Sequence, residues 1–105
     1  MSYRVRFIGL EQPAQAGYQD IAPACALYEV LRDDGSTFDL RQPCAIGPGY
    51  YTAARQPVWG WNGDTTRPTL TPSFLCALER GIRLHWFLTD GRIIPCGDNA
   101  AEVIQ

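Results

Sequence analysis

Lysine is missing altogether: the nine basic residues are all arginine, set against eleven acidic ones for a net charge of −2. No run of basic residues occurs, so the electrostatic footprint of a phosphate-backbone binder is lacking and no nucleic-acid partner is expected. So small a charge does little to hold copies apart, which permits a homo-oligomer. No stretch approaches the roughly 18 apolar residues of a membrane span. The segment Met1-Ser2-Tyr3-Arg4-Val5-Arg6 has no signal-peptide hydrophobic region. The expectation is a cytoplasmic chain with no membrane partner. Histidine occurs once, at His85, which confines any imidazole chemistry to that residue's surroundings. No Cys-x-x-Cys pair joins Cys25, Cys44, Cys76 and Cys96, and no Gly-x-Ser-x-Gly is present. Gly47-Pro48-Gly49 has neither the lysine nor the following helix of a phosphate-binding loop.

What is present describes a small β domain. A chain of 105 residues that is 46% hydrophobic fits one domain, 1–105, with one modest core. Ten glycines and eight prolines fall every few positions and leave no window for a helical 3-4 pattern. Alternation with period two is the stronger signal. Tyr3, Val5 and Phe7 alternate with Arg4 and Arg6 and read as a half-buried first strand, and Glu11–Gln19 reads as a loop. A hairpin follows, Ala26–Arg32 and Thr37–Arg41 flanking Asp33-Asp34-Gly35-Ser36. With Asp34-Gly35 as a two-residue type I′ turn, Leu31 faces Phe38 and Glu29 faces Leu40. Residues 42–60 read as a long irregular loop.

The C-terminal third reads as a three-stranded meander, Ser73–Leu78, Ile82–Leu88 and Arg92–Cys96. Asp90-Gly91 as a two-residue turn sets His85 opposite Cys96 and Phe87 opposite Ile94. If Arg80-Gly81 is also a two-residue turn, Cys76 faces His85 from the other side; a three-residue loop puts Leu75 there instead. Both faces of the meander are largely apolar, which predicts cover on both sides, by the hairpin and loops or by another subunit. The fold class is all-β: a small sheet of hairpins with a C-terminal meander and long irregular loops.

Three sites merit weighing. Trp59, Trp61, Asn62, Asp64 and Arg67 form a candidate binding surface, able to stack a planar or nucleotide-like ligand and hydrogen-bond it. The structural alternative has the tryptophans plugging the core and Asp64 clamping the loop to Arg67 by a salt bridge. Cys44, Cys76, His85 and Cys96 are candidate zinc ligands, but liganding sulfurs lie under about 4 Å apart. Cys76 and Cys96, two strands apart, would be separated by about 9.5 Å. That spacing also excludes a disulfide between them, so small buried thiols beside a hydrogen-bonded histidine are favoured and no cofactor is expected. His85 with Cys96 could make a cysteine nucleophile and base, with no third orienting group in sight. Serine catalysis finds no motif, and no catalytic residue is assigned.

The block Val58-Trp59-Gly60-Trp61-Asn62-Gly63-Asp64-Thr65-Thr66-Arg67-Pro68-Thr69-Leu70-Thr71-Pro72-Ser73 resembles a family of small phage and prophage proteins. Their pattern is Trp, any, aromatic, Asn-Gly, three variable residues, Arg-Pro-Thr, then Pro-Ser. Leu84-His85-Trp86-Phe87-Leu88-Thr89-Asp90-Gly91-Arg92-Ile93 looks like a second segment of that family. The resemblance implies a zinc-stabilised β domain in relatives carrying Cys-x-x-Cys and later Cys/His pairs. Here Cys44-Ala45-Ile46-Gly47 keeps only the first cysteine, Leu84 replaces the motif cysteine, and Asn99-Ala100-Ala101 stands at the terminal pair. Only His85 maps. With no catalytic set and with aromatic and arginine residues in long loops, which suit interfaces, the expectation is a non-enzymatic protein that acts by binding. The resemblance adds that it is a phage or prophage accessory protein in the host cytoplasm with a host protein as partner, inhibition of a host-defence component being one task it would fit.

Overall fold

Alternation decides the first strand: β1 (Tyr3–Glu11) buries Tyr3 and Val5 and exposes Arg4 and Arg6. The computed structural model describes residues 2–11, 24–53 and 55–105. Most of the loop expected at Glu11–Gln19 therefore lies outside the described residues. The chain continues as β2 (Ala24–Arg32), β3 (Thr37–Ile46), β4 (Tyr50–Tyr51), β5 (Pro57–Trp61) and β6 (Leu70–Ala77). A 3-10 turn at Glu79–Gly81 leads into β7 (Arg83–Thr89), β8 (Arg92–Pro95) and β9 (Ala101–Ile104). The domain is all-β, as its punctuation by glycine and proline predicts. Among the described residues no helix is long and apolar enough to cross a membrane.

The strands form one sheet in the order β8-β7-β6-β5-β3-β2-β1-β9, with β4 attached to β5. The sheet curls until its ends nearly meet: β1 contacts β8, and the Gln105 side-chain amide donates to the Ile93 carbonyl at 2.8 Å. Curling leaves one face inside. Leu84, Trp86 and Leu88 of β7 point inward with Leu70 and Phe74 of β6 and Ile93 of β8, all buried. Tyr28 of β2 lies among them, its ring centroid 5.0 Å from Trp86 and 5.7 Å from Phe74. Its hydroxyl donates to Gln42 Oε1 at 2.6 Å, so burial of this phenol leaves its polar end bonded.

Turn chemistry sets the register: one expected turn is found, one differs, and at Arg80-Gly81 the longer of the two alternatives is taken. Asp90-Gly91 is the expected two-residue turn, with φ of 54° and 76° and Phe87 opposite Ile94. At the first hairpin, Arg32 N donates to Ser36 O and Gly35 takes φ 88°. The loop is thus three residues long, the left-handed glycine being its last, which suits a type I turn closed by a bulge. Val30 consequently faces Phe38 and Tyr28 faces Leu40, in place of the expected Leu31–Phe38 and Glu29–Leu40. At Arg80-Gly81 the chain also takes three residues, with Leu78 N donating to Ile82 O at 2.7 Å. Leu75, not Cys76, therefore faces His85, and Cys76 faces Leu84. The inner face of the meander is covered by the curled sheet. On its outer face Leu75, Phe87 and Ile94 remain 49%, 41% and 47% exposed in the single chain.

Candidate active site

The outer face of β6 and β7 carries a line of three polar side chains. His85 points outward because its neighbours Leu84 and Trp86 point in. Ser73 reaches the same place through an irregularity in β6. Leu70 pairs with Leu88 and Phe74 with Trp86, so three residues, Thr71 to Ser73, stand against the single Phe87. Extra residues of this kind bend a strand and re-aim its side chains. Ser73 Oγ lies 2.9 Å from His85 Nε2, and Trp59 Nε1 donates to the Ser73 carbonyl at 3.1 Å, tying the segment that bears Ser73 to β5.

The third member comes from the turn between β8 and β9. Asp98 Oδ1 lies 2.7 Å from His85 Nδ1. Asn99 fixes that turn against β7: its Oδ1 accepts from His85 N at 3.0 Å, and its Nδ2 donates to Ala101 O at 2.7 Å. Ala100 N donates to Arg83 O at 2.8 Å, closing the turn from the other end. An ionised carboxylate only accepts, so Nδ1 carries the hydrogen and Nε2 presents its lone pair to the serine, whose hydroxyl donates. The hydrogen bond from His85 holds the Asp98 carboxyl below the usual carboxylate range, helped by the charge of the ring when protonated and by Arg83, whose guanidinium lies 3.6 Å away. The line is open to solvent at one end: the Asp98 side chain is 42% exposed and that of His85 22%.

The sequence-predicted binding residues are otherwise engaged. Asn62 Oδ1 accepts from Asp64 N and Thr69 N, and Asp64 Oδ1 accepts from Thr66 N and Arg67 N. Trp61 Nε1 donates to Asp64 O. Arg67 does not pair with Asp64; its guanidinium reaches Asp90 at 3.1 Å. Asp64 clamps this loop through backbone N–H groups instead. Trp59 and Trp61 pack against the core.

The candidate metal ligands do not converge. The register places Cys76 on the inward side with Leu84 and leaves His85 outside. Cys44 is buried on β3, where desolvation pushes its thiol up to about 12, as it does that of Cys25. Cys96 meets His85 through the backbone, its N donating to His85 O at 3.0 Å, while both ring nitrogens are engaged by Ser73 and Asp98. Among the described residues no three His, Cys, Asp or Glu side chains are grouped to hold a metal.

Two functional candidates, Ser73 and Asp98, escape sequence reasoning. Ser73 ends the Arg-Pro-Thr-to-Pro-Ser block, where an irregular strand hides its neighbours. Asp98 lies two positions past Cys96, within reach of His85 once the register of β7 and β8 is known.

Ser73 also lines a groove of about 610 Å³, together with β4, part of β5, Thr71 and Pro72. No curated protein and no solved structure matches this chain. A family model does match it, over residues 31–96, a span that holds Ser73 and His85 and stops two residues short of Asp98. By that match, which covers more than half of its length, the chain belongs to the family described as bacterial ubiquitination-like system serine protease (BubE).

Proposed function

We propose that this protein is a serine protease in which Ser73 is the nucleophile, His85 the general base and Asp98 the residue that orients the ring. The observation that carries this is the unbroken relay of 2.9 Å from Ser73 Oγ to His85 Nε2 and 2.7 Å from His85 Nδ1 to Asp98 Oδ1. The description of its family as a serine protease supports the same reading. A hydroxyl alone is a poor nucleophile; an adjacent imidazole whose tautomer is fixed by a carboxylate makes it a good one. As Ser73 Oγ bonds to the scissile carbonyl carbon, its proton passes to His85 Nε2. Collapse of the tetrahedral intermediate breaks the C–N bond, and the departing amine takes that proton. Water, deprotonated by the same nitrogen, then attacks the acyl carbon; the bond from that carbon to Ser73 Oγ breaks and Oγ takes the proton back from His85, which restores the hydroxyl. Throughout, Asp98 stays ionised and stabilises the imidazolium.

The chain order Ser…His…Asp differs from the orders of the chymotrypsin, subtilisin and α/β-hydrolase triads. Recognition therefore rests on geometry and roles. This reading is preferred to the non-enzymatic binding protein expected from sequence, because Asn62 and Asp64 are bonded to nearby backbone N–H groups while Ser73 lines an open groove.

The test is labelling with a fluorophosphonate, read by intact mass. One adduct per chain on Ser73, lost in Ser73→Ala and strongly slowed in His85→Ala, is the expected result. A protein that remains unlabelled while folded overturns the assignment.

A further inference from the structure

The groove beside Ser73 has a definite origin in the fold. At its C-terminal half β5 is flanked on both sides, Cys44 to Ile46 of β3 pairing with Trp59 to Trp61 and Leu70-Thr71 of β6 pairing with Trp61-Gly60. At its N-terminal half the partner is β4, through Tyr50–Val58 and Tyr51–Pro57. The connecting Gly47-Pro48-Gly49 passes over Gly60 so closely that a Cβ there would lie 2.5 Å from the Gly47 carbonyl oxygen and 3.1 Å from Gly49 N. A Cβ on Gly49 would lie 3.0 Å from Val58 O and 3.5 Å from Thr71 O. The two glycines thus let β4 settle beside β5 where β6 diverges, and the gap between β4 and Thr71–Ser73 is the groove.

Among the described residues its lining holds no charged side chain, and it includes the aromatic and proline residues Tyr51, Pro57, Trp59 and Pro72. Its direction relative to the relay is set by strand order, since β6 stands between β7, which bears His85, and β5 with its attached β4. In acyl transfer the leaving group must lie on the histidine side, because the imidazole returns its proton to it. The acyl part of the substrate must then extend the other way.

We propose that this groove receives the acyl side of the peptide substrate and selects an uncharged, apolar side chain at the residue whose carbonyl Ser73 attacks, with Tyr51, Trp59 and Pro72 as its walls. The assignment rests on the serine-protease reading and deepens it to a substrate class. A charged side chain placed there would lose water without gaining a partner, whereas a leucine or phenylalanine exchanges water for apolar contact.

The test uses the whole chain and a panel of N-acetyl tripeptide p-nitrophenyl esters differing only in the last residue (Leu, Phe, Ala, Lys, Asp), with fluorophosphonate labelling run in parallel. A kcat/KM for Leu or Phe about tenfold or more above that for Lys and Asp is the expected result. Tyr51→Asp, at a side chain 68% exposed, is expected to shift the ratio of Lys to Leu hydrolysis toward Lys. Labelling of Ser73 with a flat panel, or with charged residues preferred, overturns the groove assignment and leaves the nucleophile standing. Absence of both labelling and ester hydrolysis overturns the serine-protease reading, and the groove assignment with it. The wild-type panel decides the matter even if Tyr51→Asp does not fold.

Discussion

The loop after β5 and the turn after β8 each place an aspartate at the surface, and in both the carboxyl is held below the usual carboxylate range by hydrogen bonds. Asp64 accepts from the backbone N–H groups of Thr66 and Arg67, two and three residues further on. Such contacts stabilise a local turn. Asp98 accepts from a ring nitrogen on a different strand, thirteen residues away, and that ring meets a hydroxyl from a third segment. The segment Trp59–Arg67, with two tryptophans on β5 followed by Asn62 and Arg67, looks more like a ligand site in sequence. The informative difference lies in the kind of partner: side chain to nearby backbone shapes a loop, whereas side chain to side chain across strands creates a proton path that an isolated loop cannot.

Substitution at the two places separates them, and the largest effect is expected at Ser73. Ser73→Ala should reduce peptide-ester hydrolysis about 10⁴-fold or more while the melting temperature stays near that of the wild type. An active Ser73→Ala would break the contrast outright. Asp98→Asn should cost about 10⁴-fold in kcat, because the amide no longer fixes the Nδ1–H tautomer. It also carries a pH signature. A folded-state carboxyl with a lowered pKa contributes stability above the ordinary carboxylate range, and that contribution is lost as pH falls through the lowered value. The difference in melting temperature between wild type and Asp98→Asn should accordingly be full above the ordinary carboxylate range and close as pH falls below it.

Smaller effects are expected in the loop. Asp64→Ala leaves two backbone donors to water, so the melting temperature should fall by about a few degrees while kcat/KM per folded molecule is retained; equal losses of rate and stability would merge the two regions into one site. Arg67→Ala should do least. Its ion pair with Asp90 joins side chains 67% and 57% exposed, and such pairs contribute about 0–1 kcal/mol.

How much of this the sequence discloses depends on the range of the interaction. The all-β class is legible because glycine and proline exclude helices locally. Asp90-Gly91 is legible because a two-residue turn with both φ positive has a strong local code. The registers at Gly35 and Gly81 are not, since one left-handed glycine serves both a two- and a three-residue loop, and the choice moves every facing pair by one. That single step separates a Cys76–His85 row from the observed Leu75–His85 pair. Ser73 is hidden for a related reason: its place beside His85 depends on the irregularity between Leu70 and Phe74, which exists only in the pairing of β6 with β7. Asp98 is hidden because its turn is fixed by Asn99 hydrogen bonds that exist only once β7 and β9 are in place. His85 alone is visible as chemistry, being the single histidine.

The position of Asp98 has a bearing on when the chain becomes active. Ser73 and His85 belong to neighbouring strands of one meander and can meet as soon as that meander forms. Asp98 precedes β9, and β9 is anchored by parallel pairing with β1 at the opposite end of the chain, Tyr3 against Ala101 and Arg6 against Ile104. The pairing of β9 with β1 must therefore be in place before the imidazole gains its carboxylate. A chain in which β9 has not yet joined β1 would carry a serine and a histidine in contact with no carboxylate to hold the ring, so the proposed hydrolytic capacity waits on the closing of the sheet.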